Sequence, residues 1–143
     1  MIHHVSIPAL NPANVAKVLA ELLGGSVSQF GPYQNSYIAW ARDRHGTAIE
    51  VFPTGTELFP AEGPGQAQFK HNANHTGLTT THIAVSVDID ADSIIALAQR
   101  ESWRAVELSR GSFRVIEFWV ENRVMLEILP PEMAREYLAA TRF

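Results

Sequence analysis

The spacing of apolar residues changes twice along the first half of the chain. Residues 2–9 alternate loosely between apolar and polar side chains, which predicts a strand. Residues 15–23 place apolar side chains three, four, seven and eight positions apart, which predicts a helix with one apolar face. Asn11 and Pro12 precede this helix as an N-cap and a first helical residue, and the glycine pair at 24–25 ends it.

Three more strands are predicted after this helix, over about 27–30, 36–42 and 47–52. A polar turn that contains Asp43 and Gly46 joins the last two, which indicates a hairpin. The order strand, helix and three strands makes one βαβββ unit.

The second half of the chain repeats this order. It is predicted to hold a strand over 81–87 and a helix that is capped by Asp90 or Asp92. Two βαβββ units in tandem predict an α+β fold. The remaining strands are expected near 104–108, 113–120 and 124–129.

The chain is predicted to be a single domain over residues 1–143. Unit one covers about 1–53, and unit two covers about 81–130. A C-terminal helix is expected over about 131–141. The linker over about 54–80 is rich in Gly, Pro, Asn and Thr and is long for a structureless connection, so it holds either a further short element or a loop that covers a site.

The repeat includes polar residues of the types that bind divalent metals. A histidine that opens an apolar strand recurs as His4 and His82, and a glutamate inside a later strand recurs as Glu50 and Glu127. The separation between histidine and glutamate is 46 positions in the first half and 45 in the second. A carboxylate between apolar strand neighbours is costly unless it is paired, coordinated or turned towards solvent.

With these features the chain resembles the vicinal oxygen chelate superfamily, which includes glyoxalase I, methylmalonyl-CoA epimerase, extradiol dioxygenases and fosfomycin- and bleomycin-resistance proteins. The resemblance rests on the two βαβββ units, the strand-opening histidines, and the segments Ile-Glu-Val-Phe-Pro at 49–53 and Leu-Glu-Ile-Leu-Pro at 126–130. It covers nearly the whole chain apart from the linker and the last helix. It implies a curved mixed sheet around a metal-containing cleft.

The resemblance also implies the residues of the site. The metal ligands of the superfamily fall on His4, Glu50, His82 and Glu127, whereas His3 is expected to point to the opposite face of its strand. Two imidazoles and two carboxylates suit Ni²⁺, Zn²⁺, Co²⁺, Mn²⁺ or Fe²⁺. Glutamates at these positions move protons in the glyoxalase-like and epimerase-like branches, so Glu127 is the first candidate base and Glu50 the second.

The function that the resemblance implies is a glyoxalase-like lyase, isomerase or epimerase that acts on a small oxygenated carbonyl or acid. Two alternatives stay open. One is a metal-free protein that binds or sequesters a ligand, as bleomycin-resistance proteins do. The other is an iron-dependent dioxygenase of the extradiol type, which the presence of two glutamates disfavours. A homodimer is expected for this superfamily.

Composition limits the partners of the chain. Apolar residues make up 46% and charged residues 18%, which is normal for a globular protein. The net charge is −4 without a basic cluster, so no nucleic-acid partner is expected. The absence of cysteine fits a cytoplasmic protein, and no membrane segment is predicted. The expected partner is a small-molecule substrate.

Overall fold

A computed structural model describes residues 2–59 and 66–141 of the chain. It contains three helices and ten strands within these ranges. In chain order they are β1 (His4–Ala9), α1 (Pro12–Leu22), β2 (Ser26–Phe30), β3 (Ser36–Trp40), β4 (Ala48–Pro53), β5 (Thr56–Phe59), β6 (Gln68–His71), β7 (Ile83–Ser86), α2 (Ala91–Glu101), β8 (Ala105–Ser109), β9 (Arg114–Val120), β10 (Val124–Leu129) and α3 (Pro131–Ala140).

The two predicted βαβββ units are present, and each forms a four-stranded mixed sheet. The strand orders are β1-β4-β3-β2 in the first sheet and β7-β10-β9-β8 in the second. In each sheet the first strand of the unit runs parallel to the last, and the other neighbours are antiparallel. The predicted α+β class and tandem architecture are therefore confirmed, with a separate four-stranded sheet for each unit in the part of the chain that is described.

Helices α1 and α2 begin at N-cap residues that were identified in the sequence. The Asn11 side chain accepts a hydrogen bond from the Asn14 backbone N–H at 3.2 Å, and Asp90 accepts one from Ser93 at 2.7 Å. The helix α2 therefore starts after Asp90. Each helix buries its apolar stripe against one face of its own sheet, which removes apolar surface from water and anchors the sheet.

The linker contains an element that its composition did not reveal. Strands β5 and β6 form a two-stranded antiparallel hairpin, so the expectation of a further short element is confirmed. The ring of Phe69 on this hairpin stacks on Phe52 of the first sheet at 5.5 Å between centroids. Tyr33 lies 5.0 Å from Phe69, and Phe30 packs edge-on against Phe52 at 5.6 Å. These four rings, the aromatic cluster, attach the hairpin to the first sheet.

Polar contacts join the two units around helices α1 and α2. The Arg100 guanidinium forms an ion pair with Glu21 at 2.9 Å, and the Asn14 side chain donates to Glu101 at 2.9 Å. The Glu121 carboxylate also accepts hydrogen bonds from two backbone N–H groups at the start of α1. No helix among the described residues is long and apolar enough to cross a membrane.

Candidate functional site

Glu50 and His4 lie together on the face of the first sheet that α1 does not cover. Strand alternation places Ile49 and Val51 against the helix and turns Glu50 to this open face. The Glu50 side chain is 13% exposed, and its Oε1 lies 3.8 Å from Nε2 of His4, which is 59% exposed. The Ser6 hydroxyl donates to the other carboxylate oxygen, Oε2, at 2.8 Å.

Register explains why these residues meet. Strand β1 runs parallel to β4, with Ser6 opposite Glu50 and His4 opposite Ala48. Residues two apart on a strand share a face, so His4, Ser6 and the carboxylate lie on one side of the sheet. The resemblance to the superfamily had implied that His4 and Glu50 lie in one site.

Glu127 occupies the equivalent place in the second sheet but has different neighbours. It lies opposite Ala84 of β7, as Glu50 lies opposite Ser6 of β1, and its side chain is also 13% exposed. The Nε–H of Arg110 donates to Glu127 Oε1 at 3.0 Å. The half-buried carboxylate of unit two therefore has a permanent cation beside it.

A second glutamate shares this cation. Glu117 lies directly opposite Glu127 on β9, and Arg110 Nη2 donates to its Oε1 at 2.7 Å. The indole N–H of Trp119 donates to Glu117 Oε2 at 3.1 Å. The hydrogen bond from Arg110 lowers the pKa of Glu117 below its ordinary value, with a smaller contribution from Trp119.

The two remaining histidines near the first strands of the units lie apart from the carboxylates. His82 precedes β7 by one residue and is exposed, with Nδ1 3.2 Å from the Thr80 carbonyl oxygen. His3 has Nδ1 2.7 Å from the carbonyl oxygen of His45.

One chain thus brings His4 to Glu50 but does not assemble all four predicted ligands. Among residues 2–59 and 66–141, no three histidine, aspartate or glutamate side chains form a group that is arranged to hold a metal. The His4–Glu50 pair fits such an ion, because two ligand atoms with bonds of about 2.0–2.2 Å can be separated by up to about 4.2 Å. Glu127 fits less directly, since Arg110 occupies its Oε1; its Oε2 has no hydrogen bond from the described residues.

A cavity of about 420 Å³ lies between the units, where β1 and β7 both contribute to its wall. His4 lines it, together with Val5 and residues 83–88. Glu50 and Glu127 are not among its lining residues. Both carboxylates therefore belong to the open faces of the sheets and not to this cavity.

Comparison with known proteins identifies the fold. No protein-family profile matches the chain, and no curated protein matches it. Solved structures do match over almost its full length. The fosfomycin resistance protein FosX from Listeria monocytogenes, in complex with Mn(II) and sulfate, has a TM-score of 0.59 at 12% identity over 99% of this chain and 97% of FosX. The trypanothione-dependent glyoxalase I of Leishmania major has a TM-score of 0.53 at 16% identity over 98% of this chain and 93% of the other.

A glyoxalase, bleomycin resistance and dioxygenase domain from Frankia gives a TM-score of 0.54 at 16% identity over 90% of this chain and 94% of that domain. All three are members of the vicinal oxygen chelate superfamily. This chain has the vicinal oxygen chelate fold.

Within this vicinal oxygen chelate fold, three residues at the carboxylates were missed by the sequence analysis. They are Ser6, Arg110 and Glu117. The position of Glu117 follows from the hairpin, because Val120 pairs with Val124 and counting back from the turn sets residue 117 opposite 127. Arg110 gave no such signal, since it follows β8 in a turn where side-chain direction has no period.

Proposed function

We propose that this chain is a divalent-metal-dependent enzyme of the glyoxalase type that acts on a small oxygenated carbonyl or acid. Isomerisation, epimerisation and lyase chemistry are the reactions that suit it. The observation that carries the proposal is the His4–Glu50 pair, an imidazole and a half-buried carboxylate 3.8 Å apart on an open sheet face.

The charge of Glu50 supports a cation at this place. No described arginine or lysine forms an ion pair with Glu50, and its partners are the Ser6 hydroxyl and the His4 ring. A carboxylate that is largely removed from water is stabilised by a cation, and imidazole and carboxylate together suit Zn²⁺, Ni²⁺, Co²⁺, Mn²⁺ or Fe²⁺.

We propose that the second half of the metal site comes from another copy of the chain. One chain holds His4 beside Glu50 but leaves His82 and Glu127 apart from them. A homodimer in which unit two of one copy faces unit one of the other would bring a second histidine and a second glutamate to the pair. Closed two-fold dimers form two identical sites in this way.

The bound ion would supply Lewis acidity, which polarises two neighbouring oxygens of the substrate. The proton transfers fall to the glutamates of the chain. Glu127 is the first candidate base, because Arg110 fixes its Oε1 and leaves Oε2 without a hydrogen bond from the described residues. Glu50 is the second candidate base, with Oε2 held by Ser6.

A second candidate function is a metal-free protein that binds or sequesters a small molecule on the same fold. The ion pair between Arg110 and Glu127 favours it, because the charge of this carboxylate is already balanced without a metal. The two candidates differ in whether a divalent ion is bound.

Metal analysis tests the proposed function. Wild-type protein purified without added ions is expected to contain about one divalent ion per site, and Glu127→Ala is expected to contain less. The matched control is Glu107→Ala, because Glu107 lies on β8, which β9 separates from β10, and its ion pair among the described residues is with Arg114; it is expected to keep the wild-type content. A wild-type protein without a tightly bound divalent ion would overturn the metal-dependent function and favour the binding protein.

A further inference from the structure

The Arg110 guanidinium presents donors that its neighbours do not use. A guanidinium has five N–H donors in a planar fork. Nε donates to Glu127 and Nη2 donates to Glu117, but within residues 2–59 and 66–141 no hydrogen bond from Nη1 is found. The side chain is 31% exposed, so these donors are accessible to a ligand.

The same neighbours hold the fork in place. The two carboxylates contact Nε and Nη2 from opposite strands, and Trp119 in turn holds Glu117 at 3.1 Å. A guanidinium that is fixed in this way loses little conformational freedom when it binds a ligand, and the two N–H groups of Nη1 remain to donate to an anion.

We propose that Arg110 is a specificity-determining residue that binds an ionised carboxylate of the substrate beside Glu127. This inference rests on the proposed function and deepens it, since it narrows the substrate to small organic acids in their anionic form. The unused N–H groups of Nη1 donate hydrogen bonds to the carboxylate oxygens of the substrate. The adjacent Glu127 then acts as the base towards the carbon next to that carboxylate.

The local charge adds a condition. Arg110 with Glu117 and Glu127 carries a net charge of −1, which repels an anion. A divalent cation beside Glu127 would make the net charge of this group of side chains positive. Anion binding at Arg110 is therefore coupled to the metal, and by linkage each ligand strengthens the other.

Lactate and lactamide are suitable probes, because they differ in charge but hardly in size. Binding to the zinc-loaded protein can be followed through the indole N–H resonance of Trp119, which donates to the glutamate that Arg110 holds. We expect lactate to bind at least tenfold more tightly than lactamide. Arg110→Met removes this difference, and Arg110→Lys, which keeps the charge without the fork, retains part of it.

The control is Arg123→Met, because Arg123 lies in the β9–β10 turn and contacts the Thr76 carbonyl; it is expected to keep the wild-type preference. If Arg110→Met does not fold, Arg110→Lys provides the test. A preference for lactate equal to that of wild type would then count against a role for the planar guanidinium. A protein that binds zinc but has equal affinity for lactate and lactamide would overturn this inference and leave the proposed function standing. Failure to bind zinc or any of the other divalent ions named above overturns the proposed function and this inference with it.

Discussion

The open faces of the two sheets carry the same carboxylate at the same register with different surroundings. Glu50 and Glu127 are equally exposed, and each lies opposite the first strand of its own unit. Glu50 faces Ser6 on one side and Ile38 on the other, whereas Glu127 faces Ala84 and Glu117.

This difference indicates that the two halves of the repeat have different roles in the proposed site. On the first face the carboxylate accepts a hydrogen bond from a neutral hydroxyl. On the second face Arg110 holds two carboxylates and balances one of them. Under the proposed function, unit one would bind the metal, and unit two would orient the base and the acidic substrate.

The largest expected effect is a difference between the two faces in how much each contributes to the zinc affinity of the protein. Glu50→Gln is expected to weaken zinc binding by more than about 100-fold, since loss of a direct ligand should exceed the roughly 10–100-fold cost of losing an outer-shell partner. Glu127→Gln is expected to weaken it less, by about tenfold, because Arg110 already balances the charge of the Glu127 carboxylate. Titration calorimetry on the two variants measures both values. Equal losses would show that the faces contribute alike.

A smaller effect concerns the stability of the two faces. Arg110→Met leaves Glu117 and Glu127 opposite each other without a cation, so it should destabilise the fold by about 2 kcal/mol, between the values for exposed and buried pairs. Ser6→Ala removes one neutral hydrogen bond and should cost about 1 kcal/mol or less. Urea unfolding at pH 7 compares the variants.

The cost of Arg110→Met should depend on pH. The hydrogen bond from Arg110 lowers the pKa of Glu117 from its ordinary value of 4.5, so the stabilisation is fully present above that value. It is lost as the pH falls through the lower pKa of the folded state. Wild type and variant should therefore converge in free energy of unfolding under acidic conditions. A gap that stays constant as the pH falls far below 4.5 would exclude the ion pair as its source.

The sequence predicted the parts of the fold that depend on periodicity. The helix stripes, the alternating strands and the repeat are local patterns, whereas the placement of His4 and Glu50 in one site was implied by the resemblance to the superfamily. The hairpin of β5 and β6 was not predicted as strands, because β6 has one large apolar residue, Phe69, among polar ones. Its position depends on contacts with Phe52 and Tyr33, which are distant in sequence.

The site was predictable only where strands determine side-chain direction. Glu127 turns to the open face as expected, but its partner Arg110 comes from a turn. His82 lies just outside β7, so strand alternation does not fix its ring. In the proposed homodimer it would reach the carboxylates of a second chain, which the sequence of one chain does not describe.

A further prediction tests the hairpin of β5 and β6, which packs on the first sheet through the aromatic cluster. Gly55, in the turn between β4 and β5, has a φ of +87°, and a Cβ there would lie 2.6 Å from Cδ2 of His75. Gly55→Ala should therefore cost about 1–2 kcal/mol and loosen the hairpin from the aromatic cluster. Gly31→Ala is the matched control, because a Cβ at Gly31 meets open space.

Hydrogen exchange localises this effect. In Gly55→Ala the amides of β5 and β6 should exchange faster, while those of β10 should keep their protection. The reason is that the hairpin contacts the first sheet through a few rings, so it can open without disturbing the core of unit two. Faster exchange throughout both four-stranded sheets would instead show that the hairpin and the two units unfold together as one cooperative core.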